Sequence, residues 1–107
     1  MKAWIGVAIL ALATINARAD TPVATGEAIY AGTCAQCHDH GLLGAPRIGD
    51  AKAWKARIAE GKRTQVRMAI KGIRQMPPRG GNSGLSDEEV ERAVVYLLNR
   101  SGAKFKE

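Results

Sequence analysis

The stretch Cys34-Ala35-Gln36-Cys37-His38 contains both cysteines of the chain and places a histidine directly after the second. Two thiols separated by two residues can add to the two vinyl groups of a haem, and the adjoining imidazole can then reach the iron from the proximal side. The spacing therefore predicts one covalently attached haem c, held through Cys34 and Cys37, with His38 as an iron ligand.

Three other uses of such a cysteine pair compete with haem attachment. A thioredoxin-like redox pair lies beside a βαβ unit, and no stretch of this sequence has the period-two alternation of a half-buried strand. A zinc site takes four ligands, and the only other histidine is His40. A disulfide across so short a loop would restrict little chain entropy and would leave His38 unexplained. Haem attachment is the favoured interpretation.

Residues 1–19 have the pattern of a cleavable secretory signal peptide. A lysine near the start precedes an uncharged apolar run, residues 3–15, and Ala17-Arg18-Ala19 offers small residues at the two positions that signal peptidase reads. The run is shorter than the roughly 20 residues that cross a bilayer as a helix. We expect cleavage before Asp20, a single mature domain over residues 20–107, a periplasmic location and no stable membrane insertion; a short tethering helix is the alternative.

The mature part of the chain predicts an all-α domain of about four helical segments separated by loops rich in glycine and proline. A helix beginning at Gly26 is expected to end near Thr33. The last helix is expected from Ser86 to about Asn99, since Ser86 and Glu89 have the spacing of a capping box. Five aromatic residues are few for a core, and a haem would supply the flat apolar surface that these side chains do not.

Apolar residues at helical spacing mark the faces of three predicted helices. The two middle helices and the last one carry these sets: Ala51, Trp54 and Ile58; Val66, Ala69, Ile70 and Ile73; Val90, Ala93, Val94, Leu97 and Leu98.

The second axial ligand of the iron distinguishes an electron carrier from a gas binder or an oxygen-activating catalyst. His40 is too close in sequence to His38 to reach the opposite face of a haem. Met68 lies on a predicted helix but off its apolar face, as a packing or surface residue does. Met76 precedes two prolines that favour an extended, stiff loop, which can present a soft thioether to iron. Met76 is the expected distal ligand, with a core-filling methionine as the alternative.

Ligation of the iron by both His38 and Met76 leaves no open position for a substrate. This arrangement predicts a one-electron carrier and not an enzyme. A labile Met76 would instead allow peroxidase-like activity or carbon monoxide binding, which is the weaker alternative.

Two further residues are candidates for supporting the haem. The carbonyl of Pro46, in the loop after the attachment motif, is placed to accept a hydrogen bond from His38, although a simple turn proline explains it nearly as well. The indole N–H of Trp54 can donate to a haem propionate, or the ring can simply pack.

Positive charge is concentrated in the middle of a chain whose formal net charge is +6. Residues 47–79 hold ten basic and two acidic residues, whereas residues 20–46 hold three acidic residues and no lysine or arginine. A basic surface steers association with an acidic partner. We expect redox proteins with acidic docking surfaces, such as a respiratory membrane complex, an oxidase or another soluble carrier; a solubilising face is the alternative. Nucleic-acid binding is disfavoured by export and by the lack of interleaved aromatic residues.

The attachment motif, Met76 in its Met-Pro loop, Gly26 with Tyr30, and Tyr96 in the last helix together resemble the class I c-type cytochromes. The resemblance covers the whole mature chain. Three stretches are similar to the small bacterial cytochrome c5 and c-555 group: residues 41–50, 76–81 and 85–90.

The resemblance implies a small fold of about four helices around a single haem, and a periplasmic electron shuttle with His38 proximal and Met76 distal. It further implies that the Pro46 carbonyl accepts from His38, and that the first helix crosses the last near Gly26 and Tyr96. Many cytochrome c5 relatives carry a second cysteine pair near the distal loop, where this chain has Asn82-Ser83-Gly84.

Overall fold

A computed structural model describes Ala3, Gly6 and residues 23–107 of the chain. The predicted signal peptide and its cleavage site lie outside the described residues, except for Ala3 and Gly6. Over residues 23–107 the regular structure is helical, as predicted, and the one β feature there is an isolated bridge between Ile73 and Met76.

Five α-helices and a π-helical segment form four helical segments, because the π-helix joins the first two α-helices without a break. The α-helices are α1 (Gly26–Ile29), α2 (Ala35–His38), α3 (Ala51–Ala59), α4 (Lys62–Lys71) and α5 (Asp87–Arg100). The π-helix spans Tyr30–Cys34, and short 3-10 turns span Leu42–Gly44 and Pro78–Gly81.

Side-chain caps begin three of these helices. The hydroxyl of Thr25 accepts from the Ala28 N–H at 3.1 Å, and the carboxylate of Asp50 accepts from the Ala53 N–H at 3.1 Å. At α5 the predicted capping box is present: the Glu89 N–H donates to the Ser86 hydroxyl, and the Ser86 N–H donates to the Glu89 carboxylate. Each cap satisfies an N–H group that lacks a partner within its own helix.

The first helical segment is longer than the sequence predicts. Instead of ending near Thr33, it continues through the π-helix and α2 to His38. No proline interrupts this stretch, so helical hydrogen bonding is not broken before the attachment motif. The two cysteines and the histidine are therefore presented from a helix and not from a loop.

The predicted crossing of the first and last helices at Gly26 is confirmed. A Cβ atom at Gly26 would lie 2.2 Å from the backbone oxygen of Arg92 and 3.1 Å from the Cβ of Tyr96. Only glycine allows this approach. Next to the crossing, the rings of Tyr30 and Tyr96 pack with centroids 5.5 Å apart, which fixes α5 against the segment that leads into the attachment motif.

The core between these helices is small. Its buried cluster consists of Tyr30, Trp54, Leu97, Leu98 and Ala103. Of the apolar face predicted for α4, Ala69 is buried, Val66 and Ile70 are half-buried, and Ile73 follows the end of the helix and is 41% exposed. The other buried residue of α4 is Gln65, which was not predicted. In α5 four of the five predicted residues are buried, but Val94 is half-buried and its neighbour Val95 is buried instead.

No helix within the described part of the chain is long and apolar enough to span a membrane.

Candidate haem-binding site

The attachment motif lies at the end of the first helical segment. Cys34 closes the π-helix and Cys37 lies in α2, and both are half-buried free thiols. Burial raises the pKa of the Cys34 thiol to about 11. The attacking thiol of a redox pair needs a lowered pKa, so Cys34 does not have the environment of such a nucleophile.

His38 is buried and its ring has a defined orientation. Its Nδ1 atom lies 2.8 Å from the carbonyl oxygen of Pro46, the contact that the resemblance implied. A carbonyl oxygen can only accept, so Nδ1 carries the proton and Nε2 keeps its lone pair. This is the tautomer that a metal-ligating imidazole needs, with the second nitrogen held by a backbone oxygen.

Two hydrogen bonds fix the part of the loop that directly follows Pro46. The N–H of Ile48 donates to the carbonyl of His38 at 2.8 Å. The indole N–H of Trp54 donates to the carbonyl of Arg47 at 2.9 Å. These two bonds keep the acceptor for His38 in place.

Trp54 is buried against the same histidine. The centroids of the Trp54 and His38 rings are 5.7 Å apart, with an interplanar angle of 43°. The sequence suggested that the indole N–H could donate to a haem propionate, but the structure gives this single donor to Arg47. Trp54 thus supports the proximal side through packing and through the loop that holds Pro46.

Met76 lies in a tight turn after α4. The backbones of Ile73 and Met76 pair through two hydrogen bonds of 3.0 and 2.9 Å. Gly72 begins the turn with φ at +82°, and a Cβ atom there would lie 2.9 Å from the Met76 carbonyl oxygen and from the Pro78 nitrogen. Only glycine fits that backbone conformation and that space. The turn thus fixes Met76 beside the end of α4.

The other two ligand candidates have different surroundings. Met68 is half-buried within α4, where its backbone carbonyl accepts from the N–H of Gly72. His40 is exposed in the turn after α2. Met76 is also half-buried, but it is the one methionine of the described residues that lies in a loop.

The loop after Met76 is tied to the attachment segment. The side-chain amide of Asn82 donates to the hydroxyl of Thr33 at 3.3 Å. A Cβ atom at Gly80 would lie 3.1 Å from the Thr33 side chain. Because Thr33 directly precedes Cys34, the structure brings the segment after Met76 next to the attachment motif.

Sequence reasoning missed two hydrogen-bonded pairs near the site. The hydroxyl of Tyr30 donates to the carboxylate of Asp39 at 2.5 Å. Burial, reinforced by that bond and by the negative charge of Asp39, raises the pKa of Tyr30 above its usual range. The second pair joins Arg79 to Asp87 at 2.7 Å. Neither pair has a spacing or a residue pattern that identifies it in a sequence.

The basic residues of the middle of the chain are largely at the surface. Those that are exposed are Arg47, Lys52, Lys55, Arg63, Arg67, Lys71 and Arg74. Two apolar side chains in the 3-10 turn after the motif, Leu42 and Leu43, are also 53% and 68% exposed.

These residues fit a covalently attached haem. Two free thiols stand one helical turn apart, and a buried imidazole beside them is held in the ligating tautomer. A thioether lies in a fixed turn on a segment that is tied back to the motif. The donors are the soft sulfur and imidazole groups that haem iron takes.

The sequence matches a family model described as cytochrome c oxidase, cbb3-type, subunit III, over residues 21–97. Among curated proteins it is 45% identical to cytochrome c-555 of Chlorobaculum tepidum over 82 residues, which cover 73% of this chain and 76% of that protein. It is 42% identical to cytochrome c5 of Ectopseudomonas mendocina over 71 residues, covering 64% of this chain and 82% of that protein.

Solved structures agree with these relatives. A chain in the crystal structure of the electron transfer complex of nitrite reductase with cytochrome c is 34% identical, with a TM-score of 0.69 and coverage of 71% of this chain and 93% of that one. A mono-haem ferrocytochrome c from Shewanella putrefaciens is 32% identical, with a TM-score of 0.63 and coverage of 70% and 93%.

Proposed function

The chain belongs to the c-type cytochromes, as a small class I member that carries electrons with one covalently bound haem c, and from that premise we propose that it works in the periplasm with its iron held between His38 and Met76. The observation that carries the ligand assignment is the contact of His38 Nδ1 with the Pro46 carbonyl. That contact leaves Nε2 as the free nitrogen of a buried, oriented ring.

Cys34 and Cys37, one helical turn apart, would hold the cofactor through thioether bonds. When bound, the haem supplies a one-electron couple between ferric and ferrous iron. Trp54 packs against His38 and fixes the loop of its acceptor. These residues restrict the motion of the His38 ring.

Met76 is the proposed distal ligand. The Ile73–Met76 bridge and Gly72 hold its backbone, and Pro77 with Pro78 stiffens the next part of the loop. A thioether favours the reduced state and so raises the reduction potential. With His38 and Met76 both bound to the iron, no position would be left for a substrate, and this arrangement would suit a carrier and not an enzyme.

Export to the periplasm rests on residues 1–19, whose charge, apolar run and Ala-Arg-Ala end suit signal peptidase. The protein should then begin at Asp20. Mass spectrometry of the periplasmic fraction tests both points, since the mature chain should carry the added mass of one haem. A haem-bearing chain that keeps residues 1–19 in the membrane fraction would overturn the proposal of export.

The partners we propose are redox proteins with acidic docking surfaces. The exposed basic residues of the middle of the chain support this, and one solved relative forms an electron transfer complex with nitrite reductase. Electrostatic steering weakens as salt screens the charges. Rates of partner reduction should therefore fall steeply with ionic strength. Rates that do not change with ionic strength would show that the basic surface only keeps the protein soluble.

The distal ligand is tested by a matched pair of methionine variants. A weak far-red absorption band marks methionine bound to ferric haem iron in this family. We expect the band in the native protein and in Met68→Ala, and its loss in Met76→Ala. Loss of the band in Met68→Ala alone would assign the ligand to α4 instead.

A further inference from the structure

The loop after Met76 is closed by one arginine side chain. Nη1 of Arg79 donates to the carbonyl oxygen of Leu85 at 3.0 Å, and Nη2 lies 2.7 Å from the carboxylate of Asp87. We call Arg79, Leu85 and Asp87 together the arginine clasp. It ties the chain just after the proposed ligand to the first residue of α5.

The clasp has a rigid anchor and a partly shielded arginine. Asp87 lies in the first turn of α5, where its charge also suits the positive end of the helix. The side chain of Arg79 is 27% exposed, against 65% for Asp87. Two charge-assisted bonds from one planar guanidinium restrict its position more than a single ion pair does.

The backbone at Arg79 is in a conformation that needs such support. Its φ is +56°, in the left-handed region that non-glycine residues rarely adopt. Gly80 comes next with φ at +64°, and its N–H donates to the carbonyl of Pro77 at 3.0 Å. A strained residue persists where neighbouring contacts hold it, and the contacts of the Arg79 side chain are those of the clasp.

The clasp holds the backbone that follows Met76, whereas the Ile73–Met76 bridge holds the backbone that precedes it. Before Met76, the pairing with Ile73 and the glycine at position 72 hold the backbone. After it, two prolines lead directly to Arg79, so a fixed Arg79 limits how far Met76 can swing away. Without the clasp, the segment between Met76 and α5 would be held mainly by backbone turn bonds and by the contact of Asn82 with Thr33.

Arg74 provides a natural comparison on the same turn. It is also left-handed, with φ at +52°, and is exposed. Within the described part of the chain its side chain makes no hydrogen bond or ion pair. Replacing either arginine removes the same charge near Met76, but only the change at Arg79 removes the clasp.

We propose that Arg79 is a positioning residue that keeps Met76 on the iron by closing the distal loop onto Leu85 and Asp87. The inference rests on the proposed role of Met76 as distal ligand. Opening of the loop is the step that frees the iron for other ligands, so the clasp also suppresses the peroxidase-like chemistry of an open site.

Imidazole is the probe for this opening. It competes for the distal position of the ferric holoprotein, and its binding is followed by the loss of the far-red band. In Arg79→Met we expect half-saturation at an imidazole concentration about five- to tenfold lower than in the native protein, the range for losing partly exposed charge-assisted bonds. Arg74→Met should change the imidazole concentration at half-saturation by less than about twofold, because surface charge alone contributes little.

Two conservative variants show that the effect comes from the clasp. Arg79→Lys keeps a charge for Asp87 but cannot make both bonds. Its imidazole concentration at half-saturation should therefore lie between those of the native protein and Arg79→Met. Asp87→Asn breaks the ion pair and leaves the Leu85 bond, and it should behave similarly. If Arg79→Met fails to mature with haem, these two variants decide the question.

The result that overturns the inference is equal imidazole affinity in the Arg79 and Arg74 variants, with the far-red band present in the native protein. A native protein that lacks the band, or keeps it in Met76→Ala, would instead overturn the proposed ligand itself. A lower melting temperature with unchanged imidazole affinity would give Arg79 a purely structural role and also reject the positioning role.

Discussion

The segment around His38 and the loop around Met76 are held by different kinds of interaction. The proximal segment is helical, and the partner of His38 is only eight residues away, at Pro46. The distal loop contains left-handed residues on both sides of Met76 and depends on contacts with Thr33 and with the start of α5. Local hydrogen bonds therefore fix His38, whereas the Met76 loop combines local hydrogen bonds with a contact to Thr33, which is distant in sequence.

This difference has a dynamic consequence. Freeing His38 would require unwinding a helix that also bears both thioether attachments, whereas freeing Met76 requires only that a loop opens. Regions with few buried contacts open at much lower free energy than core helices. We expect ligand exchange, where it occurs, to begin on the Met76 side.

The largest effect should come from breaking the proximal attachment. In the double variant Cys34→Ala, Cys37→Ala the covalent bonds cannot form, and we expect no haem to remain after purification under denaturing conditions. Mass and visible spectra check this. Thr33→Ala, next to the motif, should keep the full haem content; a double variant that still carried covalent haem would contradict the attachment.

A change at Gly72 should strongly affect the distal side. Gly72→Ala places a Cβ atom against Met76 and Pro78 in a left-handed backbone, and should lower the free energy of unfolding by about 4 kcal/mol. Gly61 has nearly the same dihedral angles, with nothing within 4 Å of its Cβ position.

Gly61→Ala should therefore cost only about 2 kcal/mol, the backbone contribution alone. Denaturant unfolding measures the loss of unfolding free energy in each glycine variant. The far-red band should weaken only in Gly72→Ala. Equal losses of unfolding free energy in the two variants would mean that the close contact at Gly72 does not contribute to stability.

A smaller effect of opposite sign is expected on α4. The side-chain Nε2 of Gln65 is buried without a hydrogen-bond partner in the described structure. Gln65→Leu removes the unpaired amide and should stabilise the protein by about 1 kcal/mol, with the far-red band unchanged. Exposed Gln75→Leu should have little effect on stability. A destabilised Gln65→Leu would mean that the amide gains a partner when haem is bound.

The smallest effect concerns the start of α5, next to the clasp. The backbone N–H of Ser86 lowers the pKa of Glu89. Because the folded-state pKa is the lower one, this bond stabilises the protein above the ordinary glutamate pKa near 4.3, and its contribution is lost as pH falls through the folded value. Glu89→Gln should thus be slightly less stable at pH 7.

The difference between Glu89→Gln and the native protein should disappear in acid. Melting temperatures measured from pH 7 downward check this. Glu88→Gln, in the same helical turn, serves as the control and should show a smaller difference at neutral pH. A gap that persisted below pH 3 would show that titration of Glu89 is not its cause.

Much of the fold was predictable because its signals are local. The capping box at Ser86, the helical spacing of the apolar residues in α5 and the small residue at Gly26 all belong to short stretches of sequence. The end of the first helix was not predicted, since it depends on a π-helix before Cys34 that no residue pattern marks. The burial of Gln65 was not predicted, because a polar side chain is normally expected at the protein surface.

The candidate site likewise combines features that the sequence predicts with features that it does not. The pair Cys34 and Cys37, with His38, could be identified from spacing, because thioether attachment and proximal ligation need residues close together in sequence. The bond from the Trp54 N–H to the Arg47 carbonyl was not foreseen, since a backbone carbonyl has no sequence signature. The Tyr30–Asp39 bond was not foreseen either, because the spacing of these two residues fits no known motif.

Covalent haem attachment and a helical architecture could be read from the order of the amino acids, because they come from residue chemistry and from spacing over a few helical turns. The crossing of the first and last helices at Gly26 was expected from the resemblance to the class I c-type cytochromes. The bond from the Trp54 indole to the Arg47 carbonyl and the closure of the Met76 loop by Arg79 emerged only from the folded molecule. They depend on where a particular backbone oxygen or carboxylate lies, and these positions are set only when the loops fold back on themselves.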